Sequence, residues 1–160
     1  WVHFVEAGFR DAIKESSGSI VVTLFGDTGL EQQVLLVEDA IEKFPEVDYL
    51  VGSGPMAEAA VSILRARKAK TGIKVVSTYL SHAVYRGITR GRILAAPTDS
   101  PVLQGRLSIE MAVRALEGRL EVRHAGPAIS IVTPDTAGSD VSVGSLAPAS
   151  FVPVFSLEAR

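Results

Sequence analysis

The sequence predicts an α/β domain: an open parallel sheet with helices on both faces, a three-layer αβα arrangement. Two observations carry this. Short β-branched apolar runs alternate with longer segments whose apolar residues recur every three or four positions, in the order helix, then strand–helix repeated four times. The strand runs are also almost continuously apolar, as expected of strands buried on both faces and joined by right-handed crossovers.

The first helix is read from Phe4, Val5, Phe9, Ala12 and Ile13, with Glu6, Arg10, Asp11 and Lys14 opposite them, and Ser16-Ser17-Gly18 stops it. Ser19 to Phe25 (SIVVTLF) reads as a buried parallel strand. Leu30, Val34, Val37, Ile41 and Phe44 step along a second helix that ends at Pro45. Val47 to Val51 is the next strand and Gly52-Ser53-Gly54 its loop. Pro55 then suits a first helical turn, where its missing N–H costs nothing. Met56, Ala60, Ile63 and Leu64 give that helix its buried stripe. Arg65, Arg67, Lys68 and Lys70 place positive charge near its C-terminus, where the helix dipole favours it.

Ile73 to Pro101 is the centre of the chain: a strand from Ile73, a loop with Tyr79, Leu80, Ser81 and His82, a short helix, a strand over Ile93–Ala96, and a loop with Thr98, Asp99 and Ser100. Ser100-Pro101 reads as an N-cap hydroxyl followed by proline at the first helical position. The helix that follows is expected to bury Val102, Ile109, Val113 and Leu116 and to end at Gly118. Ala128 to Thr133 is a further strand. Asp135 to Ser150 reads as loop, and Phe151 to Phe155, interrupted by Pro153, as an edge strand at best. The expected division is residues 1–134 as one lobe and 135–160 as a C-terminal loop with that edge strand.

Composition narrows the function. The 160 residues carry a net charge of −2, which argues against a protein built to hold nucleic acid. No cysteine is present, so there is no disulfide, no thiolate nucleophile and no zinc–thiolate site. No apolar run reaches the ~18–20 residues that a bilayer span needs, so the chain is not read as membrane-embedded. It opens on Trp1 within a helical pattern and shows no signal-peptide pattern, which suggests a piece of a longer protein.

Several motifs fall short of chemistry. Gly52-Ser53-Gly54-Pro55-Met56-Ala57 fits G-x-G-x-x-A, yet no carboxylate stands ~20 positions on to hold a ribose, and Pro55 removes an N–H that could face phosphate. Ser81, His82 and Asp99 lack the strained elbow of a hydrolase triad. A phospho-acceptor receiver domain needs an acidic pair and a lysine that are not at the required strand ends. His3, His82 and His124 have no metal-ligand spacing. The expectation is therefore no catalytic residue, no cofactor and no metal. Arg86, Arg90 and Arg92 form a small basic group, either a solvated face or a partner contact.

Tyr79 is harder to explain as packing. In open parallel sheets, ligands bind outside the carboxyl ends of the strands. A tyrosine there offers a ring face, which attracts organic cations by about 0.5–2 kcal/mol. Asp99 can offer a carboxylate, Ser53 a hydroxyl, and Trp1 a second ring if a strand ends just before it.

The segments VEAGFRDAI, GDTGLEQQVLLVEDAIEKFPEVDYLVG, AEAAV, VVSTYLSHAVYRGITRGRILAAPTDSPVLQG and VTP resemble the C-terminal half of the TorT-like periplasmic proteins of trimethylamine N-oxide respiration. More broadly the chain resembles ribose-type periplasmic binding proteins and the effector cores of LacI-type regulators. The resemblance implies one lobe of a type 1 periplasmic binding protein, lacking the N-terminal lobe and the strand before the first helix. It implies a periplasmic, non-enzymatic sensor that binds trimethylamine N-oxide or a similar methylated amine and signals to the periplasmic domain of a sensor histidine kinase. It places ligand-facing positions near Trp1 or His3, Ser53, Tyr79 and Asp99. Sugar-binding relatives commonly carry an aspartate where Tyr79 stands. The alternatives are a sugar-binding component of an ABC transporter and a LacI-type effector core. Exposed cleft surfaces make a homodimer of this chain an expectation.

Overall fold

A computed structural model describes residues 2–67 and 72–154. Trp1, Lys68, Lys70 and Phe155, which enter the readings above, lie outside the described residues. Helix α1 (Val2–Ile13) is followed by α2 (Leu30–Lys43), β1 (Tyr49–Gly52), α3 (Gly54–Ala66), β2 (Lys74–Ser77), α4 (His82–Thr89), β3 (Ala96–Thr98), α5 (Pro101–Leu116), β4 (Ser130–Val132) and α6 (Ser139–Ser145).

Strands β1 and β2 pair in parallel, Tyr49 opposite Lys74 through to Gly52 opposite Ser77. A parallel bridge between Val76 and Ala95 brings the entry to β3 alongside β2, with the Leu94 N–H donating to the Val75 carbonyl (2.8 Å) and the Ser77 N–H to the Ala95 carbonyl (3.0 Å). The predicted α/β alternation is present here. At the far side β4 runs antiparallel to β3, Ala96 opposite Val132, so the last strand departs from the all-parallel expectation.

The core forms where α3 packs on β1 and β2 and touches both α2 and α4. Val37 and Ile41 from α2 and Met56, Ala60 and Ile63 from α3 are residues the periodicity selects; Val84 and Ile88 from α4 join them, with Leu50, Val75, Ile93 and Val132 from the strands and their approaches. Four small residues, Ala57, Ala59, Ala60 and Gly54, let α3 lie close to its neighbours. Burying side chains of this size stabilises the fold by about 1.5–3 kcal/mol for each large one.

Five readings are corrected. Ser19–Phe25 forms no strand, and Val21 and Phe25 are 54% and 58% exposed. Its β-branched pattern suits a strand, but a strand exists only with a ladder partner, and none of the described residues supplies one. The segment instead leans on α1, where Arg10 Nη2 donates to Thr23 Oγ1 at 2.9 Å and the rings of His3 and Phe25 stand 6.1 Å apart. Helix α5 forms as predicted, yet it buries no residue. Ile109 is 69% and Leu116 90% exposed although α5 packs against α6; the spacing marks an apolar face, not whether another element covers it. The stripe of α1 is likewise unburied. The Asp135–Ser150 stretch contains α6, a short helix that serine and glycine conceal from propensity but that tertiary contacts hold in place. Phe151–Val154 forms no strand.

Candidate functional site

The carboxyl ends of β1, β2 and β3 lie side by side, and three of the predicted ligand positions follow them directly. Ser53 comes one residue after β1, Tyr79 two after β2, and Asp99 one after β3. Extending the β1–β2 register past Gly52–Ser77 sets Tyr79 opposite Gly54. The side chain confirms the register. A Cβ placed on Gly54 would stand 2.9 Å from Tyr79 Cζ and 3.0 Å from its hydroxyl oxygen. The ring therefore lies across the first turn of α3, with 40% of the residue still open to solvent. It is neither core filler nor on a remote rim.

Local hydrogen bonds fix this arrangement. The Ser77 hydroxyl, buried, donates to the Tyr79 carbonyl at 2.8 Å, and the Thr78 N–H donates to the Gly52 carbonyl at 2.8 Å. The chain beyond β2 is thus tied both to itself and to the neighbouring strand end, which leaves Tyr79 little backbone freedom. Ser53 is brought beside Tyr79, but its hydroxyl is already engaged: it accepts from the Met56 N–H at 3.3 Å and caps α3. Its expected role as a free hydroxyl for a ligand becomes, first, that of an N-cap. Asp99 has an exposed side chain, and its carbonyl accepts from Gln104 Nε2 at 2.8 Å. Trp1 lies outside the described residues, and His3 sits against Phe25, away from these strand ends in sequence and packing.

Ser100 departs from expectation in a telling way. It holds φ 54°, ψ 62°, the left-handed region, and makes no side-chain cap on α5. It is the only non-glycine residue with positive φ among the described residues. That conformation costs an L-residue about 1–2 kcal/mol. It is held by the Ser100 N–H donating to Thr98 Oγ1 (3.1 Å), while Thr98 Oγ1 donates in turn to Ser145 Oγ (2.8 Å) within the buried interior. The strained turn directly follows Asp99.

The sequence reading missed the strap that makes this possible. Residues 137–147 cross over β3 and α4 and are fastened at three places: Ser145 to Thr98, the Ala147 carbonyl to His82 Nε2 (2.8 Å), and the Ala137 and Gly138 carbonyls to the Tyr85 hydroxyl (3.3 Å each). His82 thus donates to a main-chain carbonyl. Its neighbour Ser81 accepts from the Val84 N–H (3.1 Å) as the cap of α4, so the two adjacent side chains serve different partners. Nothing local marks this strap, because each of its bonds spans 47 to 65 residues.

Residues 4–152 match the family model described as periplasmic binding proteins and sugar binding domain of LacI family. The chain belongs to this family. It is 41% identical over 148 residues to the periplasmic protein TorT of Escherichia coli K12, covering 92% of this chain and 43% of that protein. The chain therefore spans less than half the length of that relative. Two crystal structures of a TorS sensor domain–TorT complex, one without ligand and one with TMAO, match with a TM-score of 0.89 at 42% identity, over 94% of this chain and 51% of theirs. An ABC transporter solute binding protein from Bradyrhizobium sp. BTAi1 with bound bis-tris matches with a TM-score of 0.85 at 40% identity, over 94% of this chain and 45% of that one. The fold is that of a type 1 periplasmic binding protein lobe, and the periplasmic placement implied by the family resemblance stands with these relatives. Among the described residues, no helix is long and apolar enough to cross a membrane.

Proposed function

We propose that this chain is the ligand-binding lobe of a periplasmic sensor that recognises trimethylamine N-oxide or a similar small methylated amine and relays its presence to a membrane sensor histidine kinase, without catalysing a reaction. The observation that carries this reading is the Tyr79 ring, lying across Gly54 at the strand ends and left 40% exposed. A ring face is a poor partner for a sugar hydroxyl and a good one for a nitrogen carrying positive charge and methyl groups. Asp99, at the next strand end, adds a carboxylate on the same side. The relatives support the chemistry: one is crystallised with TMAO, another with bis-tris, and both molecules have a nitrogen bearing three carbon substituents. The kinase clause is supported by the complex that the TorT relative makes with a TorS sensor domain.

Calorimetry on the complete gene product tests the reading. The expected result is saturable heat with trimethylamine N-oxide, weakened roughly 2- to 30-fold in Tyr79→Ala. A flat titration at millimolar trimethylamine N-oxide, with saturable binding of ribose, would instead establish the sugar-binding alternative, to which the family description also extends.

A further inference from the structure

A groove of about 460 Å³ runs between α3 and α4, its lining free of Tyr79, and arginines dominate its rim: Arg65 from α3, Arg86 from α4, Arg90 at the C-cap of α4, and Arg92 just beyond. The way the chain leaves α4 puts them together. Gly91, at φ 63°, reverses the chain, and the Gly87 carbonyl accepts from both the Arg92 N–H (2.8 Å) and the Ile93 N–H (3.2 Å). Arg92 is thereby folded back beside Arg90 and not carried away from it. Gly87 has no side chain because Ile93 fills that space: a Cβ there would stand 2.5 Å from Ile93 Cδ1.

Elsewhere several cations on or beside helices pair with carboxylates: Arg10 with Glu6, Lys14 with Asp11, Lys43 with Asp39, Arg114 with Glu110. Among the described residues none of Arg65, Arg86, Arg90 and Arg92 has such a partner. Arg86, on the last turn of α4, and Arg90, its C-cap, bring two like charges to one end of the helix. All four are exposed, above a floor that includes Val61 and buried Ile93. Guanidinium groups around an apolar floor are the make-up of a protein–protein contact centre, and the planar fork matches carboxylates bidentately.

We propose that this groove docks an acidic segment of a protein partner, its arginines holding the partner's carboxylates and its floor taking an aliphatic side chain. Two observations favour a protein over a nucleic acid or polyphosphate: the chain's net charge of −2, and the Glu58 carboxylate on the same rim, which repels a dense polyanion but can accept from a partner's basic group. The proposal stands on the groove and does not rest on the ligand proposed above.

The test is an NMR titration of the ¹⁵N-labelled protein with the capped peptide Ac-ELEELEELE-NH2. Its arms are the same peptide with glutamine for every glutamate, and inorganic triphosphate. The expected result is shifts concentrated on the α3 and α4 amides, weakened by salt, with affinity falling roughly tenfold or more in Arg86→Gln/Arg90→Gln and in Arg65→Gln. Circular dichroism confirms that the variants fold. No shifts at millimolar peptide, shifts elsewhere, equal binding of the glutamine peptide, or triphosphate seated in the groove that the peptide cannot displace would each overturn it.

Discussion

The Tyr79 ring occupies the space that a side chain on Gly54 would need, 2.9 Å from where a Cβ would stand. Sequence places these residues on separate strand–helix connections, and the parallel register of β1 and β2 makes them neighbours. Replacing Gly54 by alanine therefore displaces the ring. Because the ring is partly exposed and can swing, and because alanine favours the helix, stability should change by no more than about 1 kcal/mol. Trimethylamine N-oxide affinity should nevertheless fall severalfold. Thermal denaturation and calorimetry on the same variant separate the two effects, and unchanged affinity would count against the ring's role.

The ring face and the hydroxyl of Tyr79 make distinct predictions. Tyr79→Phe keeps the face and should bind trimethylamine N-oxide within about threefold of the parent. Tyr79→Ala should lose about 0.5–2 kcal/mol, roughly 2- to 30-fold. Equal losses in both variants, read by calorimetry, would point to the hydroxyl and away from the aromatic wall.

Gly87→Ala should behave oppositely to Gly54→Ala. Its Cβ would meet Ile93 Cδ1 at 2.5 Å and Cγ1 at 2.9 Å, and Ile93 is buried at 2% exposure with nowhere to move. Overpacking of this kind costs about 1–3 kcal/mol, offset in part by the helical preference of alanine. A lowered urea midpoint with unchanged slope is expected. An unchanged midpoint would mean that α4 and the Ile93 segment are not clamped together as described.

Thr98→Val removes a hydroxyl that both donates to Ser145 and accepts from the Ser100 N–H. It should destabilise the fold by about 1–3 kcal/mol, because two polar groups lose their partner. Ser145→Ala removes only one of these bonds and should cost less. The double variant should cost less than the sum of the two, and strict additivity in urea denaturation would show that the pair is not coupled.

Ser100 tests the strained turn. Ser100→Gly relieves the left-handed conformation and should leave stability equal or raise it by up to about 1 kcal/mol, whereas Ser100→Val should cost more than about 1–2 kcal/mol. The reverse order in thermal denaturation would argue that the turn relaxes in solution.

What the sequence reveals here is what short-range rules govern. Pro55 opens its helix, and Val37, Ile41, Ala60 and Ile63 fall on the buried faces their spacing assigns. Tyr79 stood out because a bulky polar-tipped ring at a strand end has no packing reason to be there. What stayed hidden depends on distant partners. Ser19–Phe25 has the residues of a strand and none of the described residues to pair with, and a pattern cannot report a missing neighbour. Ser145 looks like loop and is buried against Thr98, a bond across 47 residues. Arg65 joins Arg86 only through the packing of α3 on α4, so the basic group read along α4 was incomplete by one helix.

One bridge, Val76 to Ala95, links the β1–β2 ladder to the β3–β4 ladder. Ser53 and Tyr79 follow the first ladder and Asp99 the second, so the candidate site straddles a narrow seam. One core cluster, with Leu50 and Val75 from the first ladder and Ala96 and Val132 from the second, packs across that seam. The strand ends are therefore carried on a single packed body, although backbone pairing between the ladders is reduced to one bridge.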